Sequence, residues 1–143
     1  MRTAVDTNII SALWSSEPAA GVVSRVLNDA RQQGRLMVCG PVYAELLAHP
    51  KVTPAFVDEF LQHGGIAIEA DFDLTIWKNA GIAFAAYTTR RRRAGAAEPK
   101  RLLVDCIIGS HAMLRADRLL TFDKARYSLD FPKLQIVVPK HRL

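Results

Sequence analysis

Apolar positions along this chain alternate between short continuous runs and stripes at helical spacing. Thr3-Ala4-Val5 is a brief β-leaning run, broken by Asp6-Thr7-Asn8, whose side chains suit a helix N-terminus, before Ile9-Ile10-Ser11-Ala12-Leu13-Trp14. The pattern predicts a strand and then a helix start. Pro18 stands where a second helix would open, and Val22, Val23, Val26, Leu27 and Ala30 form its apolar stripe until Gly34. Leu36-Met37-Val38-Cys39, bounded by Gly34 and Gly40, is the continuous run of a strand buried on both faces. Pro41 then begins a helix that stops at His49, before Pro50, and Thr53-Pro54 caps another to Gln62. Ile66-Ala67-Ile68 predicts a third strand. From Asp71 to about Arg92, Leu74, Trp77, Ala80, Gly81, Phe84 and Tyr87 keep one helical face apolar. Arg90 to Arg101, interrupted by Gly95 and Pro99, predicts a basic loop, followed by a helix from Leu102 to Arg115. Leu119-Leu120-Thr121 and Gln135-Ile136-Val137-Val138 read as a fourth and a fifth strand.

Strands alternating with helices imply an α/β sandwich with a mostly parallel sheet of about five strands, helices on both faces, and sites collected outside the carboxyl ends of the strands. The 143 residues, with no repeat or linker, fit a single domain spanning 1–143. Half the residues are hydrophobic and 23% charged, which excludes disordered and fibrous classes. Cys39 and Cys106 lie among apolar neighbours without metal-type spacing and read as buried free thiols. No apolar run approaches the roughly 18 residues of a membrane span. Met1-Arg2-Thr3 leads straight to a carboxylate, so the expectation is a cytoplasmic protein without a signal peptide.

Charge and acid placement change this bland picture. Nineteen Lys and Arg against fourteen Asp and Glu give +5, a balance that suits a polyanionic partner but also occurs in proteins that bind no nucleic acid. Asp6 follows the first strand directly, and Asp123 follows Leu119-Leu120-Thr121-Phe122. Glu45 sits on an otherwise apolar helix. Asp105 lies within Leu102-Leu103-Val104-Asp105-Cys106-Ile107-Ile108, where burying a lone carboxylate would cost several kcal/mol, so it needs company. Gly109 and Ala112, on the same face as Asp105, leave room for a close approach. Taken singly, Asp6 and Asp123 read as helix caps, and Glu45 and Asp105 as salt-bridge partners. Taken together, carboxylates converging on one crevice call for a hard divalent cation, and Mg²⁺ or Mn²⁺ suits such oxygen ligands. Paired ions of this kind can activate water and stabilise the oxygens of a phosphodiester.

The chain resembles the PIN-domain ribonucleases, specifically the VapC-like toxins of bacterial type II toxin–antitoxin modules. Val5-Asp6-Thr7-Asn8-Ile9-Ile10 looks like the family's opening motif, Pro41-Val42-Tyr43-Ala44-Glu45-Leu46 like its second, Asp105-Cys106-Ile107-Ile108-Gly109-Ser110-His111-Ala112 like its third, and Leu119-Leu120-Thr121-Phe122-Asp123 like its fourth. The resemblance implies a PIN-like three-layer sandwich and a Mg²⁺- or Mn²⁺-dependent endoribonuclease. It implies that Asp6, Glu45, Asp105 and Asp123 hold the metal, with Asn8 and Thr121 supporting them. It also implies a cognate antitoxin as inhibitor and a homodimer.

The fourth acid is the variable one. Asp123 is preferred to Asp117, which precedes its strand, and to Asp130, which lies in a loop. His111, six residues after Asp105 on a helix that turns about 100° per residue, is rotated well away from it and reads as packing or surface rather than as a base, and Ser110 likewise faces away. With the four acids set aside, ten remain against nineteen bases. Arg90, Arg91, Arg92, Arg93, Lys100 and Arg101 form the candidate RNA-backbone contact. The same arginines could instead complement a helix C-terminus or meet an acidic antitoxin segment. Trp14, Leu13 and the apolar faces of the second and third helices are candidate partner surfaces or core. The alternative to the nuclease is a PIN-fold module that binds RNA or protein without turnover. A receiver domain would want a second acid beside Asp6, and a dehalogenase-like phosphatase an Asp in place of Asn8.

Overall fold

The computed structural model describes residues 1–15, 17–95 and 103–140. Lys100 and Arg101 of the expected basic contact, and Leu102, lie outside the described residues. The order is β1 (Arg2–Val5), α1 (Thr7–Trp14), α2 (Ala20–Gln33), β2 (Arg35–Cys39), α3 (Gly40–Leu47), α4 (Pro54–His63), β3 (Ile66–Glu69), α5 (Leu74–Arg93), α6 (Leu103–Arg115), β4 (Arg118–Leu120), α7 (Lys124–Ser128) and β5 (Ile136–Val137).

The five strands form one sheet in the order β3-β2-β1-β4-β5, and every pairing is parallel. The runs that lacked alternation, Leu36 to Cys39 and Ala4-Val5, are buried throughout, as a sheet covered on both faces requires. Parallel crossovers are right-handed. The connections β1-to-β2 and β2-to-β3 therefore place α1–α4 on one face, and β3-to-β4 returns through α5 and α6 on the other. This makes the α/β three-layer sandwich. It also puts a topological switch point between β1 and β4, where the connections leave in opposite directions and open a crevice at the carboxyl ends.

Several boundaries differ from the sequence reading. α2 starts at Ala20 rather than Pro18, which stays in the preceding turn. α3 starts at Gly40, so that β2 runs straight into it with Pro41 in the first turn, and it ends at Leu47. Asp73, whose carboxylate accepts from the Ile76 amide at 3.2 Å, caps α5. The larger difference is at the other end of α5. The helix carries Arg90, Arg91, Arg92 and Arg93 through its last turn before Gly95 takes a positive φ of 79°. These arginines are not in a loop: they sit where four cations complement the partial negative charge of the terminal carbonyls.

Gly109 received a different neighbour from the one its small size invited. A Cβ at this position would lie 2.4 Å from the Phe131 ring, so the bare stretch of α6 is filled by core packing and not by a ligand.

Candidate active site at the switch point

The crevice is built from the ends of β1 and β4 and from α3, α6 and α7. Asp6 is 3% exposed and is held by three donors. Its Oδ1 accepts from the Thr7 amide at 2.8 Å, which caps α1, while Oδ2 accepts from the Thr121 hydroxyl at 2.8 Å and the Tyr127 hydroxyl at 2.9 Å. A carboxylate offers about four acceptor positions, so capping and orientation leave Asp6 room for a further interaction.

Asn8 and Thr121 form the support below it. Asn8 Nδ2 donates to Thr121 Oγ1 at 3.4 Å, and Asn8 Oδ1 accepts from the Phe122 amide at 3.3 Å. Thr121 Oγ1 also accepts from the Asp123 amide at 3.1 Å. The two polar side chains thus stitch the start of α1 to the end of β4.

Glu45 reaches the same crevice from α3, its Oε1 accepting from the Thr7 hydroxyl at 2.7 Å. Desolvation pushes its carboxyl above the ordinary value, the Thr7 hydrogen bond pulls it back, and the charges of Asp6 and then Asp105 raise it further. Carboxylates from β1, α3 and α6 therefore sense one another's charge. Asp105 on α6 is 14% exposed in its side chain, and Arg126 NH1 lies 3.5 Å from its Oδ1. Asp123 caps α7 by accepting from the Arg126 amide at 3.0 Å, and its Oδ2 lies 3.2 Å from Arg126 Nε. Asp105 and Asp123 thus share one guanidinium.

The competing acids lie elsewhere. Asp117 accepts from the Arg2 amide at 2.7 Å at the opposite end of the sheet. Asp130, with its side chain 1% exposed, pairs with Arg90 NH2. Arg90, expected among RNA-contacting residues, is thereby engaged within the fold, whereas Arg92 and Arg93 are exposed. His111 is buried, its Nε2 2.9 Å from Glu69 Oε1, and Ser110 donates to the Ile76 carbonyl at 2.7 Å. Both serve packing between α6, β3 and α5. Trp14 packs edge-on against His49, Phe56 and Phe60, so most of it is spent within the fold.

Thr7, Arg126 and Tyr127 are site residues that the sequence reading passed over. Thr7 is adjacent to Asp6. Arg126 and Tyr127 fall three and four positions after Asp123, the spacing of one helical turn, and that was the available signal. Tyr127 is fully buried, and burial followed by the charge of Asp6 holds its phenol well above the ordinary range, so it acts as a neutral donor.

Among the described residues, no three His, Cys, Asp or Glu side chains stand as a ready-made metal cage. The donor set nonetheless suits a hard divalent ion: it is all carboxylate oxygen, and its mutual repulsion is met in part by the guanidinium of Arg126.

The chain belongs to the PIN domain family, whose profile matches residues 3–132. No curated protein sequence matches it. Among solved structures it is similar to VapBC2 from Rickettsia felis bound to a DNA fragment from its promoter, at 20% identity and a TM-score of 0.64, covering 96% of this chain and 98% of that one. It is also similar to VapBC-1 from nontypeable Haemophilus influenzae, at 20% identity and a TM-score of 0.63 with the same coverage. At this identity the likeness speaks for the fold. No helix among the described residues is long and apolar enough to cross a membrane.

Proposed function

We propose that this PIN-domain protein is a Mg²⁺- or Mn²⁺-dependent endoribonuclease that acts as the toxin of a toxin–antitoxin pair. One observation carries the catalytic part: carboxylates from separate elements meet at the switch point of the sheet and feel each other's charge there. Asp6, Glu45 and Asp105 would hold the ion, with Asp123 completing the set. A bound divalent ion would supply activation of water and stabilisation of charge on the phosphodiester oxygens.

The chain's own groups supply orientation and proton handling. Thr7 N, Thr121 and Tyr127 fix the Asp6 carboxylate from three sides. The Thr7 hydroxyl aims Glu45, which would hold the ion directly or through water and could take a proton from that water. Arg92 and Arg93, exposed at the end of α5, would meet an RNA backbone and make affinity fall with salt.

The partner part of the reading rests on the two VapBC neighbours and on the resemblance of the four motifs. It takes a cognate antitoxin and a second copy of the chain as partners, in the cytoplasm. The binding-module alternative draws on the occupation of Asp105 and Asp123 by Arg126.

The deciding experiment is cleavage of structured RNA by antitoxin-free protein after chelation, with Mg²⁺ or Mn²⁺ added back. Cleavage restored by the metal in wild type but not in Asp105→Asn supports the nuclease. Failure on a broad RNA panel together with no calorimetric metal binding would leave a binding module.

A further inference from the structure

We propose that Arg126 is a resident counter-cation that a divalent ion must displace, so that it sets the metal concentration at which the acidic crevice loads. The inference rests on the metal-dependent reading above and goes one step further, to what controls that site.

The geometry is specific. Asp123 caps α7 through the Arg126 amide, and this turn folds the Arg126 side chain back over its own capping carboxylate and across to Asp105 on α6. One guanidinium thus sits 3.2 Å from one proposed ligand and 3.5 Å from another, and it faces the charge of Asp6 as well. Arg126 thus bridges Asp105 and Asp123, and no ready cage stands among the described residues.

The bridge is also built to open. Arg126 is 40% exposed in its side chain and hangs on a long flexible stem, so it can swing to water without disturbing the core. Its neighbour Tyr127 is fully buried and bonded to Asp6, and this keeps α7 in place while the arginine moves. The Arg90–Asp130 pair is different, because Arg90 holds an Asp130 whose side chain is 1% exposed. A singly charged guanidinium shared by carboxylates from two elements is a weaker match for them than a doubly charged ion with a preference for oxygen ligands.

Calorimetric titration of Mn²⁺ into the full chain tests this, with Arg126→Gln, Arg126→Lys and Asp6→Asn compared with wild type and folding checked by circular dichroism. Removing the charge in Arg126→Gln should tighten Mn²⁺ binding by at least about tenfold. Arg126→Lys keeps the charge and should stay within about threefold of wild type. Metal-free Arg126→Gln should melt below wild type and regain the difference in saturating Mn²⁺, a recovery that a purely structural role would not produce. If folded Arg126→Gln binds Mn²⁺ no tighter than wild type, or Arg126→Lys tightens it equally, the proposal is overturned. In that event, loss of binding in Asp6→Asn shows that the metal site itself stands. If wild type and Arg126→Gln both fail to bind Mn²⁺, the metal-dependent reading fails and the proposal with it.

Discussion

Among the described residues, two of the places where acid side chains turn inward are balanced in opposite ways. On α6, His111 meets Glu69 one to one under the rings of Phe72 and Trp77, with the Phe72 ring centroid 5.5 Å from that of His111 and 5.3 Å from that of Trp77. The pair is one acid to one imidazole, with the ring buried and the Glu69 side chain 25% exposed. Less than two turns earlier on the same helix, Asp105 enters a crevice where Asp6, Glu45 and Asp123 also stand and the guanidinium of Arg126 answers them. A matched pair in a packed setting holds structure together. An unbalanced set at a switch point is poised to take up something from solution.

The largest expected effect breaks the unbalanced side. Asp105→Asn keeps the shape of the side chain and removes its charge, and it should lower metal-dependent RNA cleavage at least about a hundredfold with the melting temperature little changed. A variant that folds and cleaves at the wild-type rate would place the chemistry elsewhere. On the matched side, His111→Ala leaves a cavity beneath Phe72 and strips Glu69 of its partner. Stability should fall by about 2–4 kcal/mol in denaturant melts, while cleavage per folded molecule is retained. Between the two regions, Gly109→Ala drives a methyl group into the Phe131 ring and should cost about 1–3 kcal/mol by the same measurement.

How much of this division could be read from the chain depends on how far apart the contacts lie. The strands announced themselves because runs such as Leu36 to Cys39 have no polar face to hide, and the acids were conspicuous because each interrupts an apolar stretch. Their company was not legible. Glu69 is 42 residues from His111, and Asp130 is 40 from Arg90, so neither pairing leaves a periodic trace. α7 has five residues, too few for a stripe, and Lys124-Ala125-Arg126-Tyr127 reads as surface although its tyrosine is buried. Where the helix ends within the basic cluster was less legible for a related reason. Gly95 and Pro99 looked like the start of a loop at Arg90, but helical bonds persist to the last arginine, where the dipole favours cations.

A smaller effect sharpens the contrast through pH. Burial, ahead of the opposing pull of Glu69, holds the His111 pKa below its ordinary 6.5. The native protein then binds fewer protons than the unfolded chain around that pH. His111 therefore disfavours folding progressively as the pH falls through 6.5 towards its lower native value, and has no such effect well above it. Denaturant melts between pH 5 and 8 should show this acid-side loss in wild type and a flatter profile in His111→Gln. An unchanged slope in that variant would mean that another group supplies it.

On the proposed reading the acidic crevice binds a divalent ion and cleavage depends on it. Its most direct test is a single titration of Mn²⁺ into chelated wild-type protein, with metal binding followed by calorimetry and cleavage of a structured RNA followed on matched samples. Cleavage should be absent in chelator, rise with metal occupancy, and vanish together with high-affinity binding in Asp6→Asn. Cleavage that persists in chelator, or full metal occupancy without cleavage of any RNA offered, would contradict it.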